Sequence, residues 1–160
     1  MFSFTSKRIL PFLLILFFIS GCSQKECGTK HHHYAMGAVL CLPEEWQRVQ
    51  LSPENDLTSM AFEDGKGGTV ILTQYPGKNF REMIRLITEV YHPILEKGHL
   101  LFSKHKTVWL TSDKDRTSTI TYIVKAKEGR VFIITCSSPS INFVEYKPSF
   151  EAIARSFVAY

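Results

Sequence analysis

The side chains of this chain best equipped for chemistry are its four cysteines and six histidines. His31-His32-His33, with Cys27 four residues ahead, offer the nitrogen and thiolate donors that zinc, copper and nickel prefer. Consecutive residues of an extended chain point to opposite sides, however, and structural zinc sites use spaced pairs, which are absent here. The run therefore reads first as a polar segment rich in histidine, with metal capture as the alternative and no cofactor expected. His99 and His105 flank a strand-like stretch, and Asp113 and Asp115 fall in a turn. His99, His105 and Asp113 could form an acid–base site only if an unknown register brought them together. No Gly-x-Ser-x-Gly, HExxH or phosphate-cradling loop supports them. The expectation is a protein without enzymatic activity, and a thiol or hydrolytic enzyme is the least favoured reading.

The N-terminal segment carries a different kind of information. Lys7 and Arg8 precede 13 residues without a charge, Ile9 to Gly21, and the polar stretch Ser23-Gln24-Lys25-Glu26 follows. Spanning hydrocarbon takes about 20 residues, whereas a positive start, a short apolar stretch and a small-residue end make a secretory signal. The closing residues Ile19-Ser20-Gly21-Cys22 resemble the lipobox of bacterial lipoproteins, over residues 1–22 only. The resemblance implies a signal peptide at 1–21, a diacylglycerol on the Cys22 thiol and an acylated new amino group. Two or more acyl chains hold a protein stably at a membrane, here on its extracytoplasmic side. Ser23, rather than Asp, after the cysteine implies transfer to an outer membrane.

With Cys22 acylated, Cys27, Cys41 and Cys136 remain, an odd number in an oxidising compartment. Cys41 and Cys136 both lie in strand-like apolar runs and could bridge. They could equally be two buried small apolar residues, because free cysteine is among the most buried types. Cys27 is then the leftover thiol or an intermolecular link.

Beyond the signal, about 138 residues suffice for one domain, with a core that needs neither metal nor disulfide. The formal charge of +4 falls to about +2 without Lys7 and Arg8, and the basic residues form no patch. Nucleic-acid binding has no support. Residues 22–34, nearly without apolar side chains, read as the acylated cysteine and a flexible tether, and residues 35–160 as the domain.

Periodicity supplies the elements. Ala38 to Leu42 is a short apolar run closed by Pro43, as in a buried strand. Thr58–Glu63 and Thr69–Tyr75 flank Asp64-Gly65-Lys66-Gly67-Gly68, a hairpin turn. Phe80, Met83, Ile84, Ile87, Tyr91, Ile94 and Leu95 form one helical stripe, capped by Asn79 with Glu82 and stopped by Gly98, with Pro93 disturbing the last turn. Leu100–Lys104, Thr107–Thr111, Thr117–Ala126 and Arg130–Cys136 read as strands, with turns at Ser112–Asp115 and Lys127–Gly129. Phe143 to Phe157 reads as a closing helix broken by Pro148.

This order predicts an α+β domain, an antiparallel sheet packed by one long helix and a C-terminal helix. The early strand running into Pro43-Glu44-Glu45-Trp46, the glycine-rich hairpin, the single long helix and the closing Ser156-Phe157 resemble the Mog1/PsbP-type fold. That group includes photosystem accessory factors, a small-GTPase partner and envelope lipoproteins. The resemblance implies a binding or assembly role with a protein partner in the envelope, and it transfers no functional residue.

Overall fold

The computed structural model describes residues 28–77 and 79–160. The expected signal peptide, Cys22 and Cys27 lie outside the described residues. The described chain is α+β as expected, and runs β1 (Thr29–His33), β2 (Ala38–Leu42), β3 (Gln47–Val49), α1 (Pro53–Asp56), β4 (Ser59–Glu63), β5 (Thr69–Tyr75), α2 (Phe80–Val90), β6 (Ile94–Phe102), β7 (His105–Lys114), β8 (Thr117–Lys125), β9 (Val131–Pro139), α3 (Phe143–Arg155) and β10 (Val158–Ala159).

Seven strands form the central sheet in the order β3-β4-β5-β9-β8-β7-β6, with every neighbouring pair antiparallel. A second, three-stranded sheet has the order β1-β2-β10. The strict alternation of β8 and β9 explains the layering. Ile120, Tyr122, Val124, Phe132, Ile134 and Cys136 face one side, where they pack with β2 and with Phe150, Ile153, Ala154 and Phe157. Ile123, Val131 and Ile133 face the other, against Met83 and Ile87 of α2. The central sheet is thus covered by α3 and the small sheet on one face and by α2 on the other.

Helix α2 begins where its cap predicts, since the Asn79 side chain accepts the Glu82 N–H at 2.8 Å. Its end differs from the expectation. The helix stops at Val90, and Ile94 and Leu95 belong to β6, not to the helical stripe. Pro93 accounts for this, because it has no N–H to continue the helix and drives the residue before it towards extended backbone. Gly98 consequently lies inside β6, opposite Trp109.

Three further expectations are corrected. The segment expected to be a tether up to residue 34 holds strand β1, paired along its length with β2 from Thr29 opposite Leu42 to His33 opposite Ala38. Strand β7 continues to Lys114, so the turn falls at Asp115 and Arg116, which have φ of 52° and 64°. Two consecutive positive φ values make the tight hairpin whose twist matches its strands. Helix α3 runs unbroken through Pro148. Burial of Phe150, Ile153 and Ala154, with Phe157 just beyond, contributes roughly 1.5–3 kcal/mol per large side chain. That outweighs the roughly 3 kcal/mol cost of an interior proline, here on the exposed face of the helix.

Candidate functional site

The histidine run is divided by its strand. His32 is exposed and stacks near Tyr34. His31 and His33 turn to the opposite side, as residues two apart in a strand must. His33 is buried, and both its nitrogens are engaged. Nδ1 accepts the Met36 N–H at 3.2 Å, so Nε2 carries the proton and donates it to the Asp56 carbonyl at 2.5 Å. His31 packs edge-on against Phe62 with ring centroids 4.6 Å apart. Burial, and then the nearby Arg48 guanidinium, hold its pKa below the usual histidine value. The three imidazoles thus serve β1 as strand residues and do not converge, and among the described residues no three His, Cys, Asp or Glu side chains cluster as metal ligands.

The other candidates also separate. His105 and Asp113 stand at opposite ends of β7, eight residues apart, roughly 26 Å at the rise of a strand. His99 is exposed on β6 opposite Val108, and Asp115 is exposed in the β7–β8 turn. Asp113 accepts the Ser118 hydroxyl at 2.5 Å, which holds its carboxyl below the ordinary value. Cys136 is free and fully buried, and burial pushes its thiol pKa far up. Cys41 is disulfide-bonded. Of the two readings of this pair, the Cys41–Cys136 bridge is therefore not formed: Cys136 is a buried free thiol in the core under α3, while Cys41 lines a surface groove.

That groove is a concavity built from two distant parts of the chain. It measures about 670 Å³ and lies between the end of β2 and the outer side of α3, with Leu42, Pro43, Ala152 and Ile153 as its apolar lining and Glu45 and Glu145 at its rim. Ser156 fastens its two walls. Its Oγ accepts the Cys41 N–H at 2.9 Å, and its proton faces the Ile153 carbonyl at 2.6 Å. This hydroxyl is consumed structurally, leaving a groove suited to holding an apolar or cationic segment. The chain enters the domain at its edge. Gly28 runs so close to Leu42 and Pro43 that a Cβ there would come within 2.9 Å of the Pro43 Cα. The groove is made by residues about a hundred positions or more apart, so no local pattern in the sequence encodes it. The one available signal was the closing Ser156-Phe157 after an amphipathic stretch.

No protein-family model matches the chain, and no curated protein matches it. Solved structures do. The cyanobacterial PsbP of Synechocystis sp. PCC 6803 (CyanoP) superposes with a TM-score of 0.58 at 12% identity, over 82% of this chain and 92% of the other. LpqN of Mycobacterium tuberculosis, a protein involved in cell envelope biogenesis, gives a TM-score of 0.51 at 10% identity, over 81% and 88%. A structure from Bacteroides thetaiotaomicron gives 0.56 at 11% identity, over 84% of this chain but 49% of the other, so this chain spans about half its length. The chain has the PsbP-like fold.

Proposed function

We propose that this chain is a lipid-anchored module of the bacterial envelope that binds a protein partner and catalyses no reaction. The observation that carries the reading is the place of chain entry. Gly28 stands at the edge of the groove between β2 and α3, six residues after the lipobox-like Cys22. An acylated Cys22 would present that groove close to the membrane surface, where an envelope partner would meet it. The PsbP-like fold supports an accessory role, as does the part LpqN plays in envelope biogenesis. The separation of His99, His105 and Asp113, and the structural use of the Ser156 hydroxyl, favour binding over catalysis. Among the described residues no helix is long and apolar enough to cross a membrane.

The test is an affinity pull-down from detergent-solubilised envelope, with mass spectrometry of the mature N-terminus in the same preparation. The native chain is expected to start at a triacylated Cys22 and to retain a stoichiometric partner. Ala152→Arg, which places a long cation in the groove from an exposed helix position, is expected to lose that partner while keeping its circular dichroism. Recovery of no partner, or of the same partner at the same yield with the variant, would overturn the reading.

A further inference from the structure

We infer that the end of the central sheet bearing Ile141 and Val144 docks onto the lipid bilayer. This rests on the proposed acylation of Cys22. Ile141 and Val144 are 90% and 81% exposed, ahead of Val90, Leu101 and Leu57 among the described residues. They are three residues apart on one helical path into α3, which puts them on the same side. Leu95, 63% exposed, sits at the irregularity between Ile94 and Glu96 that opens β6. The ion pair of Lys147 with Glu96 at 3.2 Å brings α3 to that same corner. Arg116 adjoins the patch, because its carbonyl accepts the Ser140 N–H at 2.9 Å, and Lys114 lies just before it.

The chain outside the described domain points to the occupant. Register places the β4–β5 turn, the β7–β8 turn, Pro139 and the start of β6 at one end of the sheet. Trp46 approaches Gly68 at that same end, and Gly28 lies beside Pro43, three residues before Trp46. Gly28 therefore lies toward the same end of the central sheet as Ile141, Val144 and Leu95, on the groove side of α3. From Gly28 to Cys22 there are six residues, at most about 20 Å when fully extended. A lipid on Cys22 would hold this end near the bilayer, and such a short link turns weak adhesion into an intramolecular event at an effective concentration on the order of millimolar. Glu44 adjoins Gly28 and Glu45 and Glu145 share its groove, so the contact is chiefly apolar insertion, with Lys114 and Arg116 at headgroup level.

The test places photoreactive benzoylphenylalanine at position 141 or, as control, at Leu101, which is exposed at the far end of β6. The full chain is processed in bacteria, irradiated in intact cells and mapped by mass spectrometry, with the N-terminal peptide reporting acylation. The expected result is a phospholipid adduct at position 141 in at least tenfold excess over position 101. A protein adduct at 141, or equal lipid labelling at both positions, in a sample with acylated Cys22 overturns the docking and leaves the anchor standing. Lipid adducts at 141 with an unmodified Cys22 would support the docking and remove the anchor.

Discussion

Tyr146 donates its phenolic proton to Oδ2 of Asp64, 82 residues earlier in the chain, clamping the first turns of α3 to the β4–β5 hairpin. The other carboxylate oxygen accepts the Lys66 and Gly68 N–H groups at 2.8 and 2.9 Å. Burial alone would raise the Asp64 pKa, but the phenol and these N–H groups hold it below the ordinary value. Burial, and the bond to Asp64, push the Tyr146 pKa up to about 12.

The sign of the pH dependence follows. A carboxyl whose pKa is lower in the folded chain stabilises it above the unfolded value of 3.8, and that contribution is lost as pH falls through the folded value. The phenol's contribution is present below its unfolded value of 10.0 and is lost as pH rises through about 12. Tyr146→Phe should cost about 1 kcal/mol at neutral pH, the low side for a bond to a charged acceptor because the pair is partly solvated. In urea titrations the gap between native and variant protein should narrow at about pH 2.5. A gap that stays constant between the two pH values would rule out the Asp64 clamp.

His33 and His32 are neighbours with opposite expected sensitivities. Replacing His33 by Ala removes two hydrogen bonds and leaves the Met36 N–H and Asp56 carbonyl without them, at a cost of roughly 1–3 kcal/mol. His32→Ala, on the exposed face, should change stability by less than about 0.5 kcal/mol. Metal capture by the run would instead make both variants weaken zinc binding alike, which isothermal titration of native and variant chains would reveal.

Gly98 faces Trp109 across the β6–β7 ladder, and a Cβ at Gly98 would lie 2.6 Å from the indole Nε1. The ring cannot retreat freely, because its strand is paired on both sides. Gly98→Ala should destabilise the protein by roughly 1–3 kcal/mol, as overpacking does, and alter the Trp109 fluorescence. An unchanged melting temperature with unchanged emission would show that the edge strand yields instead.

These residues also show which parts of the fold were legible. Helix α2 and the β4–β5 and β8–β9 hairpins announced themselves because apolar residues recur at the helical or strand period between clear caps and glycine-containing turns, even though β8 and β9 are buried on both faces. Strand β1 did not, because histidines occupy the inward positions where apolar residues usually stand; the alternation of His31 and His33 was the signal available. Ile94 and Leu95 fell by chance on the helical stripe of α2, and only Pro93 argued for the break. The groove was illegible for a different reason. Cys41 and Ser156 meet through tertiary packing alone, and nothing local in either segment encodes the other.

The cysteines give the last prediction. Cys136 is free and Cys41 is disulfide-bonded, and the two remaining cysteines, Cys22 and Cys27, precede Gly28. If lipidation takes the Cys22 thiol, Cys27 is left to pair with Cys41. Peptide mapping without reductant should then recover a Cys27–Cys41 crosslink. Iodoacetamide should leave Cys136 unlabelled until denaturant is added, since a buried thiol with a raised pKa supplies almost no thiolate. Closing the 15 residues from Cys27 to Cys41 is worth about 3 kcal/mol in the chain-entropy account, so reduction should lower stability by up to that amount. A crosslink containing Cys136, or its rapid labelling in the native protein, would contradict the burial of that residue beneath α3.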